Sequence, residues 1–482
     1  MSIQEEECED IIPDDLFCND PDDDPDYNPL DDLDELPEEL HETQTSGQEG
    51  RTFFVQEKCL RDLLIVCSIC LAPRAVTFTC EGTLVEANGQ GRSGHAFCWR
   101  NQDVEKQQPV LNLQLCAAVL FSGNNPTVSI RMLSMMGVQV VSERTFFSIQ
   151  RVHLWPAIGK VYQDEQELLL LDAQKRKVKL AGDGRADSPG YSAKFGTYSL
   201  LDVESNKIQH FEVVQSNEVG GSCRMELAGL QRALDFLDHK NVEVSVLVKD
   251  RHAQVKCFIQ KHKEETEHEY DVWHMAKGVN KKLQTAAKQS DCKELLPWIK
   301  SITNHMYWAA ASSHGNKELI VPKWKSLLNH VQGIHEHDDE LFPSCLHGEI
   351  EPREWLKKGE QWQSSKKFEE VATARTLLKD MPRLSTRYQT YGLEAFHSLL
   401  LHFAPKLYHY PYAGTKARTQ LAVLHYNENS ERDQACTKDG TPRWRIKYPK
   451  AAGGEPVACP IMEAAKHGKF SYCNLFCRNE GA

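Results

Sequence analysis

The apolar pattern between residues 178 and 287 constrains the fold of this 482-residue chain more than any other feature. Three strand-like runs come first: residues 178–180, the stretch AKFGTYSLLDV and, after the turn ESNK, the stretch IQHFEVVQ. A helix with Leu227, Leu230, Leu234 and Leu237 on one face follows, and then the strand VEVSVLV, the helix AQVKCFIQKH and a short strand leading into a last helix. Short apolar runs between turn residues indicate strands, and apolar residues repeated every three to four positions indicate helices. The predicted order is therefore β-β-β-α-β-α-β-α.

This order predicts a mixed α/β fold with a ribonuclease-H-like mixed sheet, in which acids come from the first strand, the end of the fourth strand and a late helix. Asp183 closes the first apolar run, Asp250 closes VEVSVLVKD, and Glu394 lies early in the helical pattern YGLEAFHSLLLHF. Converging carboxylates bind hard cations such as Mg²⁺ or Mn²⁺, and paired cations serve phosphoryl displacement. Asp187 is an alternative candidate for the acid on the first strand, but it lies past the predicted end of that strand. The alternative is that these acids are merely solvated.

A long helical stretch separates the predicted strands from the Glu394 helix. Residues 288–384 are too many for a connecting loop, so we predict a helical insertion between two parts of the catalytic domain, 166–287 and 385–430. The insertion contains several tryptophans, and these are expected to form its core rather than platforms for stacking bases. The tryptophans are Trp298, Trp308, Trp324, Trp355 and Trp362.

Charge is divided unevenly along the chain. Residues 1–50 contain 20 of the 69 acidic residues and no Lys or Arg, so the remainder carries 56 basic and 49 acidic residues, a net charge of +7 against −13 overall. The acidic tail is expected to be disordered, and it either masks a groove for a polyanion or only keeps the chain soluble. With no apolar stretch of about 18 residues we expect no membrane helix, and the acidic start does not resemble a secretory signal.

Residues 51–108 predict a zinc-ribbon-like segment. Cys67 and Cys70 have the C-x₂-C spacing of a zinc knuckle, and His95 with Cys98 would complete a tetrahedral site, with Cys80 in reserve. Since sixteen cysteines without a signal peptide favour thiols or metal ligands over disulfides, zinc is a reasonable expectation here. A later group could bind zinc or belong to a solvated loop, and consists of His335, His337, Cys345 and His347. Cys473 and Cys477, in the predicted C-terminal tail 431–482, are weak candidates for zinc ligands.

Residues 109–165 predict a helix-turn-helix segment. An apolar helix (LNLQLCAAVLF) precedes a second helix with Pro126 in its first turn, and after the Gly137 turn a third helix opens with Ser142 as its N-cap. In such motifs the last helix enters the major groove of DNA. Arg144, Thr145 and Gln150 would then form its polar face, although three helices can also pack together without reading DNA.

Several strings in the chain resemble one family as an ordered set. GDGRADSPGYSAKFGTYSLLD, VLVKDRH, YDVWHMAKGVNKK and GLEAFHSLLL resemble the DDE/D cut-and-paste transposases, most closely an animal lineage of transposon-derived proteins akin to the Kolobok group. The likeness covers roughly residues 53–450, including LFSGNNPTVSIRMLSMMGVQVVSERTFF. It implies a nuclear recombinase that uses Mg²⁺ or Mn²⁺ on double-stranded DNA, as a homodimer or a larger assembly. The chain departs from the family pattern at Arg92, where a cysteine is expected, and this weakens the zinc prediction.

The resemblance also implies roles for individual residues. Asp183, Asp250 and Glu394 resemble the three catalytic, metal-binding acids. Asp271 and His274 resemble the [C/D]-x-x-H signature of the class, which either shapes the floor of the active site or is simply a strand-end aspartate beside a hydrogen-bonded core histidine. His397, on the same helix face as Glu394, would contact phosphate or pack. Phosphate contacts or surface salt bridges are the two interpretations of the remaining basic residues, Arg251, Lys281, Lys282, Lys416 and Arg418.

These expectations predict a transposase-like enzyme that cleaves DNA strands and transfers them at transposon ends. The alternative is a domesticated, non-catalytic DNA-binding protein of transposon origin. A DEDD-type exonuclease is disfavoured because it needs Asp-x-Glu on the first strand, whereas Arg185 follows Asp183 at that spacing.

Overall fold

The computed structural model describes residues 52–105, 107–188, 192–348, 354–356, 363–388, 390–406, 408–437, 439–447 and 457–463. The predicted acidic tail, Trp362, Cys473 and Cys477 lie outside these residues. The chain divides into two compact units. The first comprises Met1–Glu165 and Ser398–Ala482, and the second comprises Gln166–His397.

The described part of the first unit opens with a short helix and an antiparallel sheet. Its elements in the described part are α1 (Glu57–Leu64), β1 (Arg74–Glu81), β2 (Leu84–Gly91), β3 (Ala96–Arg100), β4 (Val104–Glu105) and β5 (Gln108–Pro109). Strand β2 pairs with both β1 and β3, and β4 pairs with β5. Gly82, which has a φ of +61°, forms the turn between β1 and β2, where a Cβ would lie 2.5 Å from Asn112 Oδ1. Glycine fits this turn because it tolerates positive φ and close approach.

Four helices follow in the described chain: α2 (Val110–Phe121), α3 (Pro126–Met135), α4 (Glu143–Ile149) and α5 (Trp155–Ala173). As predicted, Pro126 is the first residue of α3, and the Ser142 hydroxyl caps α4 by accepting a hydrogen bond from the Thr145 N–H at 3.1 Å. The third helix does not end with α4, because α4 continues through a π-helical turn at Gln150–Leu154 into α5. Pro156, which has no N–H to donate, immediately follows the start of α5, and a widened turn accommodates such a gap in the hydrogen-bond ladder.

The second unit contains a mixed sheet, and its element order agrees with the sequence prediction. Among the described residues its strands are β6 (Val178–Ala186), β7 (Phe195–Asp202), β8 (Lys207–Gln215), β9 (Val244–Lys249) and β10 (Glu267–Tyr270). Side by side they lie in the order β10-β9-β6-β7-β8. Strands β6, β7 and β8 are antiparallel neighbours, whereas β9 runs parallel to β6 and β10 runs parallel to β9. The predicted mixed α/β class is therefore confirmed.

Helices cover this sheet and bury its apolar residues. They are, in the described chain, α6 (Ser216–Val219), α7 (Met225–His239), α8 (Ala253–His262) and α9 (Val272–Ala287). The predicted apolar face of α7 is confirmed: Leu230, Leu234 and Leu237 are buried against Leu200 and Leu247 of the sheet, and Leu227 is partly buried. Full burial of one leucine side chain stabilises a fold by roughly 1.5–3 kcal/mol, so this face fixes α7 on the sheet.

The segment after α9 is helical, with α10 (Ile299–Ala311), α11 (Ile320–His330), α12 (Gln363–Ala372) and α13 (Arg375–Asp380) in its described part. These helices share an apolar core with α9 in which Trp298 and Trp324 are buried. The Trp324 indole N–H donates a hydrogen bond to the Ala372 carbonyl oxygen at 2.8 Å. Both side chains therefore serve as core residues, as predicted.

The remaining described elements are α14 (Tyr391–Phe403), α15 (Tyr412–Asn429), β11 (Trp444–Lys447) and β12 (Val457–Pro460). The last two form an antiparallel pair. No helix in the described part of the chain combines the length and the apolarity needed to cross a membrane.

Candidate metal centre

Three aspartates of the second unit occupy the same edge of its sheet on neighbouring strands. In the parallel pair β6 and β9, Ala181 lies opposite Val248, and Asp183 and Asp250 each lie two residues further along their chains. In the next pair Tyr270 lies opposite Lys249, and Asp271 follows directly. Residues two apart on a strand point to the same face, so the register alone brings these carboxylates together.

Asp183 lies inside its strand and not at its end, which corrects the sequence prediction. Strand β6 continues to Ala186, and Asp183 is paired with Ser199 of β7. The reason is that β6 stays paired with β7 beyond the point where its pairing with β9 ends. The hydrogen-bonded ladder of β6 therefore continues on the β7 side only. Asp187 lies after the strand, where its Oδ1 accepts a hydrogen bond from the Lys194 N–H at 3.0 Å.

The glycines on either side of Asp183 make room on the opposite face of the sheet. A Cβ at position 182 would overlap the Tyr198 hydroxyl oxygen, and one at Gly184 would lie 2.8 Å from Glu226 Cγ. The Gly184 N–H also donates to Asp183 Oδ1 at 2.8 Å. The Gly-Asp-Gly sequence therefore lets large polar groups approach the sheet directly beneath the carboxylate.

Helix α14 adds a glutamate and a histidine to this edge. Glu394 and His397 lie one turn apart, and His397 Nδ1 is 3.4 Å from Asp183 Oδ2. Just before the helix, the Thr390 N–H donates to Asp271 Oδ1 at 3.4 Å. The start of α14 is thus held by contacts to Asp183 and Asp271.

His274 connects the acids to one another. Its Nδ1 lies 2.5 Å from Asp250 Oδ1 and 2.9 Å from Asp271 Oδ2, and its Nε2 lies 4.0 Å from Glu394 Oε1. Asp271 is 1% exposed and caps α9 by accepting the His274 N–H. Asp250, Asp271 and His274 offer ligand atoms within 4.8 Å of one another, a group that could hold a metal ion.

Electrostatics show that this cluster attracts positive charge. Burial raises the pKa of Asp250 and of Glu394, and neighbouring acids add to the effect. Burial opposes ionisation of Asp183 as well, but the hydrogen bond and charge of His397 lower its pKa to about 2. Burial disfavours charge on His274, yet its hydrogen bonds to Asp250 and Asp271 raise its pKa to about 10. A set of carboxylate oxygens that holds a protonated imidazole also fits a hard divalent cation.

The raised pKa of His274 predicts a pH-dependent stability. Because the folded-state pKa of about 10 exceeds the ordinary value of 6.5, the protonated imidazole stabilises the fold fully below pH 6.5, and this contribution is lost as the pH rises toward 10. Urea unfolding without added divalent cations should therefore show the free energy of unfolding falling across this window. His274→Asn keeps a donor near the Nδ1 position without the charge, so its decline should be shallower.

Two observations bear on that pH prediction. Added Mg²⁺ should stabilise the wild-type chain more at pH 9 than at pH 6.5, because cation and proton compete for the same carboxylates. An identical pH dependence in the wild-type chain and the His274→Asn variant would contradict the role given to His274.

Several basic residues predicted to contact DNA are exposed. They are Arg144 on α4, Lys281 and Lys282 on α9, and Lys416 on α15, and Thr145 is exposed beside Arg144. The Thr145 hydroxyl lies 2.9 Å from that of Ser142. These side chains are accessible to a polyanion.

Two other predicted DNA contacts must be corrected, and a third residue forms an ion pair. Gln150 is 6% exposed, because it starts the π-helical turn, which shifts the helix face. Arg418 is 2% exposed and donates a hydrogen bond to the Phe403 carbonyl oxygen at 2.6 Å, so it is a structural residue. Arg251 forms an ion pair with Asp380 at 2.5 Å, which is the salt-bridge interpretation of this residue.

The first unit contains a second group of metal-ligand residues. Cys67, Cys70 and His95 offer ligand atoms within 4.8 Å of one another, and Cys67 Sγ lies 3.7 Å from His95 Nδ1. The backbone N–H groups of Cys70 and Ile69 lower the pKa of the Cys67 thiol to about 6, which favours the metal-binding thiolate. Cys98, predicted as the fourth ligand, does not belong to the group. It lies three residues after His95 along an extended strand, so the two side chains point to opposite faces.

Lys249 and Glu226 were not anticipated as parts of the centre. The Lys249 ammonium is fully buried, forms an ion pair with Glu226 and lies 5.7 Å from the Tyr198 ring centroid. The sequence feature that could have indicated this ion pair was a lysine within an apolar strand, directly before Asp250.

Comparison of the chain with protein-family models and with curated protein sequences gives no match.

Proposed function

We propose that this chain is a transposase-like enzyme that cleaves and transfers DNA strands with Mg²⁺ or Mn²⁺ held by Asp183, Asp250 and Glu394. The observation that carries the proposal is the linkage of these three acids through His274 and His397 at one sheet edge. Asp183 and Glu394 lie more than two hundred residues apart in sequence, and neighbouring carboxylates repel one another unless a positive charge lies between them.

The architecture supports a ribonuclease-H-like assignment. The first acid lies on the first strand of the sheet, the second directly follows the fourth strand, and the third lies on a late helix after a helical insertion. These are the places that the fold implies for metal-binding acids. The sequence motifs that resemble DDE/D transposases fall on the same elements.

The residues around the acids prepare them for a cation. His397 lowers the pKa of Asp183, and His274 fixes the position of the Asp250 carboxylate by a hydrogen bond. Asp271 in turn orients the His274 ring by a hydrogen bond, as carboxylates outside the ligand set do for histidines in many metal centres. When bound, a pair of divalent cations activates a water or a DNA 3′-hydroxyl and stabilises the leaving oxygen.

The proposed substrate is double-stranded DNA. Arg144, Lys281, Lys282 and Lys416 are exposed and would contact phosphates, which sets affinity and salt dependence rather than sequence preference. Nuclear localisation and action as a homodimer or larger assembly belong to the same proposal. Zinc is proposed for the Cys67 group, since two thiolates and an imidazole suit that metal.

The direct test uses the purified full-length chain with supercoiled plasmid and with duplexes of random sequence. We expect nicked and linear products in Mg²⁺ or Mn²⁺ and none in Ca²⁺ or with EDTA. DNA binding without metal-dependent cleavage would instead favour the domesticated, non-catalytic protein. Cleavage that persists in EDTA would contradict the metal mechanism.

A further inference from the structure

We infer that the second unit contains a structural zinc site built from His330, His335, Cys345 and His347. These residues offer one ligand atom each, and the four atoms all lie within 4.8 Å of one another. One thiolate and three imidazoles form a complete tetrahedral set for zinc. The site is separate from the acidic centre, and the inference does not depend on the proposed function.

Distances within the group match those of a metal site. With Zn–S and Zn–N bonds of about 2.3 and 2.0–2.1 Å, tetrahedral geometry places sulfur and nitrogen about 3.6 Å apart. Cys345 Sγ lies 3.6 Å from His330 Nδ1. The imidazoles of His330, His335 and His347 have centroids 4.7–5.2 Å apart and steeply inclined planes. Rings that converge on one point take this arrangement, whereas stacked rings would be nearly parallel.

The surroundings of two ring nitrogens indicate which nitrogens face the metal. Nδ1 of His335 is buried and has no hydrogen-bond partner among the described residues. A buried nitrogen without a partner is unfavourable, and a zinc ion would satisfy it. His347 Nδ1 lies 2.8 Å from the Gly348 carbonyl oxygen, to which it donates, so its Nε2 remains for the metal, as is usual when the other nitrogen is bound to a carbonyl.

The backbone holds the ligand residues opposite one another. The Cys345 N–H donates to the His335 carbonyl oxygen at 2.9 Å, and Glu336 pairs with Ser344 in an antiparallel bridge. This small hairpin fixes His335 opposite Cys345. His330 is the last residue of α11, and Gly333, with a φ of +75°, turns the chain back toward it.

His337 supports the sulfur instead of acting as a ligand, which corrects the set expected from sequence. Its Nε2 lies 3.2 Å from Cys345 Sγ, and its Nδ1 accepts a hydrogen bond from the Asn329 amide at 3.4 Å. That acceptor role leaves the proton on Nε2, which therefore donates to the sulfur. The sequence spacing favoured His337 because it lies in the loop, whereas His330 belongs to the preceding helix.

The test is the zinc content of the full-length chain. Cys67→Ser combined with Cys70→Ser removes the other proposed zinc group and provides the background. That background chain should retain one equivalent of tightly bound zinc after gel filtration. Cys345→Ala should lose it, as should His347→Ala, whose exposed side chain can be removed with little effect on the core. His262→Ala, an exposed histidine on α8, is the matched control and should keep its zinc.

Cobalt substitution gives a second measurement that does not depend on the stability of a variant. In the background chain, Co²⁺ should produce the charge-transfer absorption of a cobalt–thiolate bond, and Zn²⁺ should displace it. A background chain that folds without zinc and binds neither ion would overturn the inference. Full zinc retention in both Cys345→Ala and His347→Ala would also overturn the inference. Loss of zinc in His337→Ala, together with retention of zinc in His335→Ala, would refute the assignment of the ligands.

Discussion

Replacing Asp183 by asparagine is expected to reduce metal-dependent DNA cleavage by well over about 100-fold, while DNA binding stays within a few-fold of wild type. Changing a residue that only supports a metal ligand already costs about 10–100-fold, and Asp183 is proposed as a direct ligand. Asparagine keeps the size of the side chain but not the negative charge, which the low pKa of Asp183 favours. The measurement is the initial rate of plasmid nicking in Mg²⁺ and Mn²⁺, together with a DNA-binding titration.

Asp187→Asn is the matched control for this substitution. Asp187 lies four residues further on, and its Oδ1 accepts a backbone hydrogen bond that an asparagine side chain can also accept. Its cleavage rate should therefore remain close to wild type. Nicking by the Asp183→Asn chain at the wild-type rate in Mn²⁺ would refute the assignment of Asp183 as a metal ligand. Loss of activity in the Asp187→Asn chain alone would show that Asp187 is the first metal-binding acid instead.

Replacing Lys249 by methionine is expected to destabilise the second unit by about 3 kcal/mol, since removing one partner of a buried ion pair leaves the other charge uncompensated. The lower end of the usual range applies because the Glu226 side chain is still 31% exposed. The Lys249 charge also lowers the pKa of Asp183, so the pKa of this carboxyl should rise in the variant. Urea unfolding measures the first effect, and an NMR titration of the Asp183 carboxyl measures the second.

Combining Lys249→Met with Glu226→Gln tests the cause of that destabilisation. The double variant removes both charges and should recover part of the lost stability, because a neutral pair has no uncompensated charge. Lys261→Met, at an exposed site on α8, should change stability by less than about 0.5 kcal/mol. Equal losses in the single and double Lys249 variants would show that packing of the lysine stem, and not its charge, is responsible.

Sequence patterns predicted the parts of this protein that depend on local periodicity. The element order from residue 178 to 287, the apolar face of α7 and the Ser142 cap follow from apolar spacing and helix-end chemistry, and the structure contains all three. The placement of Asp250 directly after β9 belongs to the same group, since a strand ends where its apolar run ends.

The errors arose where tertiary neighbours decide the outcome. Strand β6 continues past Asp183 because β7 pairs with it there, and no local pattern contains that information. Gln150 and Arg418 are polar residues that the fold buries, and composition alone placed them on the surface. His330 and Cys98 show the same limit for metal ligands, because the face that a side chain presents depends on the helix or strand that carries it.

The long insertion before α14 has a consequence for how the protein is made. Roughly a hundred residues separate the end of α9 from Glu394, and a ribosome adding about 5–20 residues per second needs about 5–20 s to synthesise them. During that interval the nascent chain has its strand aspartates but lacks the glutamate. If the proposed function holds, a polypeptide released prematurely before α14 would lack the third metal-binding acid, so truncated translation products should not cleave DNA.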